Sequence, residues 1–372
     1  GQYKPEFAAA WGAKTLADGT LDVSMVVSVI AALGLGRLIS LPFSGPLSDK
    51  YGRKLSGIIG VLCYVAYFFG MANSTSMAMG YAFAVIGGIA NSFLDTATYP
   101  AVTEILYKYT GIATMGIKFF ISVAQLLMPF FLGMVAGSSM SYLMLPVVAG
   151  IAIAILGVLA IFAPMPKDEK AAASESFISK LKNANFSAES VALILIGFTS
   201  TATFQLWLNC AQTFGKEIAG IPSESVSVMQ TYYSAGTMAA LVITSLLITK
   251  FKQVRFLVIY PAISLIMLIL VYVVKSPIIC YVGAFVIGYS AAGGVLQMAT
   301  ATVNDLFPHI KGTITSLVMI ASSLCNYTIL SAAAKMSATA VILMNVVITV
   351  IGVVLALFVN LRYGKLLACT EK

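Results

Sequence analysis

Residues 45–54 read GPLSDKYGRK, with Asp49, Lys50, Arg53 and Lys54 crowded between Gly45, Pro46 and Gly52. The run follows more than twenty largely apolar residues, and it is out of character for this chain. Of the 372 residues, 59% are hydrophobic and 10% charged, with a mean hydropathy of +0.95. Soluble domains carry roughly 25% charged residues, so the composition describes an all-α polytopic membrane protein. A hydrocarbon core takes about 20 apolar residues per helix. That pattern recurs eleven times, at 24–47, 55–73, 79–104, 113–136, 141–163, 190–213, 225–249, 256–274, 277–304, 313–334 and 338–360. The period-2 alternation of an outer-membrane barrel is not what these segments follow.

The basic residues orient the spans. Placing GPLSDKYGRK in a cytoplasmic loop puts fifteen Lys and Arg residues on that side, among them Lys50, Arg53, Lys54, Lys250 and Arg255, and leaves four opposite, Lys14, Lys216, Lys275 and Lys335. Such a bias is the positive-inside pattern, and it sets the C-terminus in the cytoplasm of a cell exposing this protein in its plasma membrane. The net charge of +8 then reflects an anionic leaflet rather than nucleic acid. A polar stretch at 164–189 reads as a cytoplasmic linker between an N-terminal bundle, 1–163, and a C-terminal bundle, 190–372. The cysteines follow no disulfide or metal spacing, and no P-loop or cluster of His, Cys and carboxylates is present. Neither an enzyme nor a cofactor or metal site is expected.

The two halves match weakly but in one register. Gly87 and Gly288, Val102 and Val303, Glu104 and Asp305, Leu106 and Phe307, Gly111 and Gly312, and Thr114 and Thr315 are all related by an offset of 201. Parallel repeats of this kind suit transporters whose bundles rock about a central site. The offset also asks for a partner of span 190–213 ending near residue 10, where GQYKPEFAAA is too short and too polar to cross. We therefore read the chain as lacking the first helix of two six-helix bundles related by a pseudo-twofold axis.

Gly45, Leu47, Asp49, Lys50, Gly52, Arg53 and Lys54 resemble the signature loop of the major facilitator superfamily, G-x-L-x-D-[RK]-x-G-[RK]-[RK], in its usual place between the second and third spans. The resemblance implies a secondary transporter that works by alternating access. It also implies that Gly45, Asp49, Gly52, Arg53 and Lys54 latch the halves in the outward-facing state. The equivalent loop of the second half, TKFKQVR, has Lys250 in place of the aspartate, so the latch reads as one-sided. The fifth span lacks the G-x-x-x-G-P-x-x-G-G element of proton-linked drug exporters.

Two charges lie in mid-span, Arg37 and Asp95, each about 16–18 Å from its cytoplasmic helix end at about 1.5 Å per residue. Being level, they are expected to pair, since an unpaired charge at this depth costs at least about 2.5 kcal/mol. Lys118 is read as snorkelling to the cytoplasmic surface. Asn91, Asp95, Thr98 and Tyr99 share one helical face; Thr201, Gln205 and Asn209, with Trp207 nearby, form a second stripe, and Gln297 and Thr300 a third. Gln125 and Asn326, again 201 apart, join from flanking spans. These twelve are the candidate substrate-binding residues, with Asp95 and Arg37 as the proton-coupling pair. The expectation is a monomer in the lipid bilayer carrying a small polar organic solute, a sugar, polyol or small organic anion, in symport with protons. A proton-linked multidrug exporter and a non-transporting sensor of the same fold are the alternatives.

Overall fold

The computed structural model describes residues 4–15, 21, 24–136, 141–162, 177–184, 186–222, 225–226, 228–333 and 336–370. Among them the chain forms fourteen α-helices: α1 (Lys4–Ala10), α2 (Ser24–Tyr51), α3 (Arg53–Ala72), α4 (Met77–Ile105), α5 (Thr110–Ala136), α6 (Met144–Phe162), α7 (Phe177–Asn183), α8 (Ala188–Glu217), α9 (Val228–Ile248), α10 (Gln253–Val274), α11 (Pro277–Ser290), α12 (Val295–Leu306), α13 (Lys311–Ala333) and α14 (Ala338–Thr370). Ten segments are long and apolar enough to cross a bilayer, α11 and α12 counting as one, and the 27-residue α5 runs between two of them. Each of the eleven expected spans therefore falls on a helix, the one at 277–304 on two. The 201-residue offset carries into the elements, because Arg53 opening α3 corresponds to Val254 at the start of α10, and Thr110 opening α5 corresponds to Lys311 opening α13. Residues 163–176, most of the expected linker, lie outside the described residues; α7 and the first residues of α8 occupy the remainder.

Two expectations about local structure are corrected. The run at 45–54 is no loop: α2 continues through Pro42 and Pro46 to Tyr51, and α3 begins at Arg53. Only Gly52 joins them, at φ 89°, a left-handed backbone angle that costs glycine little and other residues more. The span at 277–304 is broken between Ser290 and Val295, where the chain reads Ala-Ala-Gly-Gly and Gly294 takes φ 113°.

Inside the bundle, many hydroxyls find partners on their own helices. Thr96 Oγ1 donates to Ser92 O at 2.9 Å, and Ser290 Oγ to Val286 O at 2.7 Å, which lets these two side chains ride at membrane depth without an orphaned group. The largest apolar cluster brings Met115 and Phe119 of α5 against Leu193, Leu257, Val295 and Met298 of the second half, and two others lie within single halves. Ala8, Trp11, Val29, Ala32 and Ala84 pack in the first, and Trp207, Phe214, Met267 and Cys280 in the second. A smaller cluster of Leu41, Tyr99 and Met319, with Ile117 and Ile320 against it, joins α2, α4 and α5 of the first half to α13 of the second.

Candidate functional site

We call the end of the bundle that holds Asp49, Lys50 and Arg53 the basic end. There α2 meets α13 closely: a Cβ added at Gly45 would strike Ser316 Oγ and lie 2.7 Å from Gly312 O, so only glycine lets the two backbones approach this far. The approach delivers Asp49 to the first turn of α13, whose amide groups have no partner within their own helix. Asp49 Oδ1 accepts from Gly312 N at 2.9 Å, and Oδ2 accepts from Thr313 N at 3.0 Å and Thr313 Oγ1 at 2.7 Å. An anion at a helix N-terminus also meets the positive end of the helix dipole. Arg53 Nη1 donates to Asp49 Oδ1 at 2.7 Å and to Ser48 Oγ at 3.0 Å, while Nη2 and Nε hold Glu104 Oε1 at 2.8 and 3.2 Å. Asp49 and Arg53 are almost fully buried, 5% and 2% exposed, so this is a desolvated network and no surface pair.

The family resemblance assigned Lys54 to the same latch, and here it stands apart from the network. Lys54 lies one residue past Arg53, about 100° around the helix, and among the described residues it has no ion-pair partner. The one-sided latch is corrected. Asp305, the counterpart of Glu104, accepts from Thr110 Oγ1 of α5 at 3.1 Å and from Gln253 Nε2 of α10 at 3.4 Å, which ties the second half back to the first. Glu104, Gly312, Thr313 and Asp305 were missed as partners of the seal. The coincidence of Gly111 with Gly312 and of Glu104 with Asp305 in one register was the available signal.

At mid-depth Arg37 Nη2 donates to Asp95 Oδ2 at 2.5 Å, and each side chain is 23% exposed. Serines hold their helices in register: Ser92 Oγ of α4 donates to Arg37 O of α2 at 3.0 Å and accepts from Ser40 Oγ at 2.7 Å. Arg37 Nη2 also reaches Met319 Sδ of α13 at 3.2 Å, so the pair faces the second half. Tyr64, which the sequence reading passed over, donates its hydroxyl to Asn91 Oδ1 at 2.5 Å, and Tyr99 bonds Gln297 of α12 across the halves. Arg37, Asp95, Tyr99 and Gln297 are thus brought to the junction of α2, α4, α12 and α13, while Asn91 sits between α4 and α3.

The remaining candidates divide. Thr98 Oγ1 is spent on Leu94 O at 2.7 Å. On α8, the exposed Asn209 donates to Gln205 O at 2.8 Å and Gln205 Oε1 at 3.1 Å, leaving both amides on an accessible face. Asn326 Oδ1 of α13 is buried without a partner. Three residues move from the site to the interior of the second half. Thr201, 1% exposed, bonds Ser322 Oγ at 2.9 Å; Thr300, fully buried, bonds Leu296 O at 2.7 Å; and Trp207, 3% exposed, packs with Met267 and Val271. A helical stripe of polar residues selects a face but does not say which neighbour covers it. The side chain of Gln125 lies outside the described residues. A small cavity of about 10 Å³, room for about one water, lies within the second half, lined in part by Thr199, Ser200, Thr203, Ser264 and Thr349. No charged side chain lines it, and Thr203 and Thr349 bond each other at 2.9 Å, so it is not where a polar solute would be gripped.

Lys118 is a further correction. Its Nζ lies 5.9 Å from the ring centroid of Phe204 on α8, the cation–π range. Phe204 is sixteen residues into α8 from its basic end, about 24 Å along the helix. The ammonium therefore reaches across to the second half at membrane depth and does not snorkel to the surface.

Comparison with known proteins bears on the family and the fold. A family model described as Major Facilitator Superfamily matches residues 7–326. The chain is 35% identical over 359 residues to a Bacillus subtilis (strain 168) protein named uncharacterized MFS-type transporter YfkL, covering 93% of this chain and 89% of that one. It is 28% identical over 355 residues to the inner membrane transport protein YdiN of Escherichia coli (strain K12), covering 94% and 84%. Among solved structures, the transporter FucP in its outward conformation matches with a TM-score of 0.76 over 90% of both chains, at 16% identity, a likeness of fold.

Proposed function

Because this chain belongs to the Major Facilitator Superfamily, a family of membrane transporters and not of enzymes, we propose that it carries a small polar organic solute by alternating access, coupled to protons through Asp95. The observation that carries this reading is the Arg37–Asp95 pair, partly exposed at membrane depth and turned toward the other half. A carboxylate there is disfavoured by desolvation and favoured by its guanidinium, two opposed effects that change size when the halves move. When Arg37 turns to a solute, Asp95 loses its counter-charge and takes up a proton. When the solute leaves, Arg37 returns and the proton is released. Tyr64 and Tyr99 flank the pair, and the amides of Asn91, Gln205, Asn209 and Gln297 supply hydrogen bonds to solute hydroxyls. The seal at Asp49 and Asp305 holds the basic end shut, so the conformer fits one open to the opposite side. We place the basic end in the cytoplasm, with the protein acting as a monomer in the cell membrane.

In proteoliposomes, Asp95→Asn is expected to abolish accumulation of solute driven by a proton gradient. Exchange between equal pools should remain, since it moves no net proton. Undiminished uphill accumulation by folded Asp95→Asn protein would refute the coupling role.

A further inference from the structure

We propose that the transported solute is an organic anion and that Lys118 is a specificity-determining cation that binds its carboxylate; the inference rests on the transport reading above. Charge at membrane depth does not balance. Arg37 and Asp95 cancel one another, whereas among the described residues no carboxylate pairs with Lys118. Among the described residues its ammonium has the face of Phe204, a contact worth much less than an ion pair removed from water. A charge kept at this cost in a wet or protein-lined interior marks a solute path.

Two independent features point to the same ligand chemistry. Arg37 makes its described bonds to Asp95 and Met319 through Nη2 alone, and its Nε is buried with no hydrogen-bond partner, so the guanidinium keeps an unspent donor. Ser122, one turn beyond Lys118 on α5 and 6% exposed, has a buried Oγ without a partner, as does Ser323, one turn beyond Met319 on α13 and 4% exposed. Lys118 and Arg37 flank a single apolar cluster: Ile117, beside Lys118, and Leu41, one turn from Arg37, both pack with Met319 and Tyr99. Two cations with unpartnered hydroxyls on the next turns suit a hydroxylated carboxylate. A neutral sugar would leave the ammonium as costly as it found it. Binding of such an anion also draws Arg37 from Asp95, which makes solute and proton enter together without net charge for a monoanion.

The test sets acids beside their amides of equal shape: glycolate, lactate, gluconate and salicylate against glycolamide, lactamide, gluconamide and salicylamide. Thermal shift and proteoliposome uptake are measured on the full chain, on Lys118→Gln and on Lys118→Arg. At least one acid is expected to bind where its amide does not. Lys118→Gln should weaken it by about tenfold or more, the loss of one charge-assisted bond, and Lys118→Arg should restore most of the affinity. Without ligand, Lys118→Gln should melt at a higher temperature, because a half-buried charge at membrane depth has gone; a purely structural lysine would give the opposite sign. Equal binding of an amide and its acid, or an acid indifferent to Lys118→Gln, overturns the inference while transport stands. If none of the eight compounds binds, the field is read directly at Asn209→Cys in a background without other cysteines. Faster reaction with an anionic than a cationic methanethiosulfonate, lost in Lys118→Gln, supports the inference, and equal rates overturn it. Uptake of an acid that a proton gradient fails to concentrate would sink the coupling role of Asp95 and leave Lys118 in place.

Discussion

Replacing Asp49 by Asn preserves the shape of the side chain and removes its charge at the one point where the first half caps a helix of the second. The bond to Arg53 lies within one half and survives opening, so it shifts no equilibrium. The bonds to Gly312 N, Thr313 N and Thr313 Oγ1 exist only while the seal is closed. In the amide, oxygen at the Oδ1 position still accepts from Gly312, but NH₂ at the Oδ2 position faces the Thr313 N–H donor. One charge-assisted bond of about 2 kcal/mol is lost, and two others weaken to neutral strength at about 0.5 kcal/mol each. The closed state is destabilised by about 3 kcal/mol, roughly a hundredfold in the ratio of conformers. A sealed protein with about 1% open molecules becomes one with comparable populations. Nitroxides at Tyr107→Cys and His309→Cys, exposed positions at the basic end of the two halves, report the change as a second, longer distance by pulsed electron resonance. Solute affinity measured in the same conformer should not change. A distance distribution identical to that of the unmutated protein, with an unchanged transport rate, would refute the idea that Asp49 governs the seal.

Arg37→Ala is expected to lower thermal stability by about 3 kcal/mol by stranding Asp95, and Arg37→Ala with Asp95→Ala to recover most of it; equal melting temperatures for the single and double variants would contradict a mutual pair. Thr201→Val should cost about 1 kcal/mol through its lost bond to Ser322 and leave solute exchange at its normal rate, whereas lost exchange at unchanged stability would return Thr201 to the binding site.

Several features could be read before any coordinates. Arg37 and Asp95 sit level when residues are counted from their helix ends, and that arithmetic suffices for a pair because membrane depth leaves a charge few alternatives. The resemblance of Gly45, Asp49, Gly52 and Arg53 to the family's signature run pointed to the latch, but because the run was read as a loop, the helical turn that separates Gly45, Asp49 and Arg53 was not foreseen. What escaped was contact between elements far apart in sequence. Nothing in QLWLN says that Trp207 turns into its own half while Gln205 and Asn209 remain accessible. Lys118 was misjudged because its distance from the surface permits snorkelling; only the position of Phe204, on a helix of the other half, shows where the ammonium goes. That Thr98 and Thr300 donate to their own helices was equally out of reach, because such a hydroxyl looks the same in sequence as one with a free proton.

The join at Gly52 leaves no slack between two long helices. With a single residue between Tyr51 and Arg53, α2 and α3 form a bent lever whose elbow lies at the bilayer surface. Any tilt of α2 as its end leaves α13 must be passed to α3 at once, and through Arg53 and Glu104 to α4. On the alternating-access reading proposed above, the first half would swing as one piece, with the force of unsealing applied at its rim. Lengthening the elbow by two or three flexible residues would leave every contact in place and uncouple the stroke from the seal.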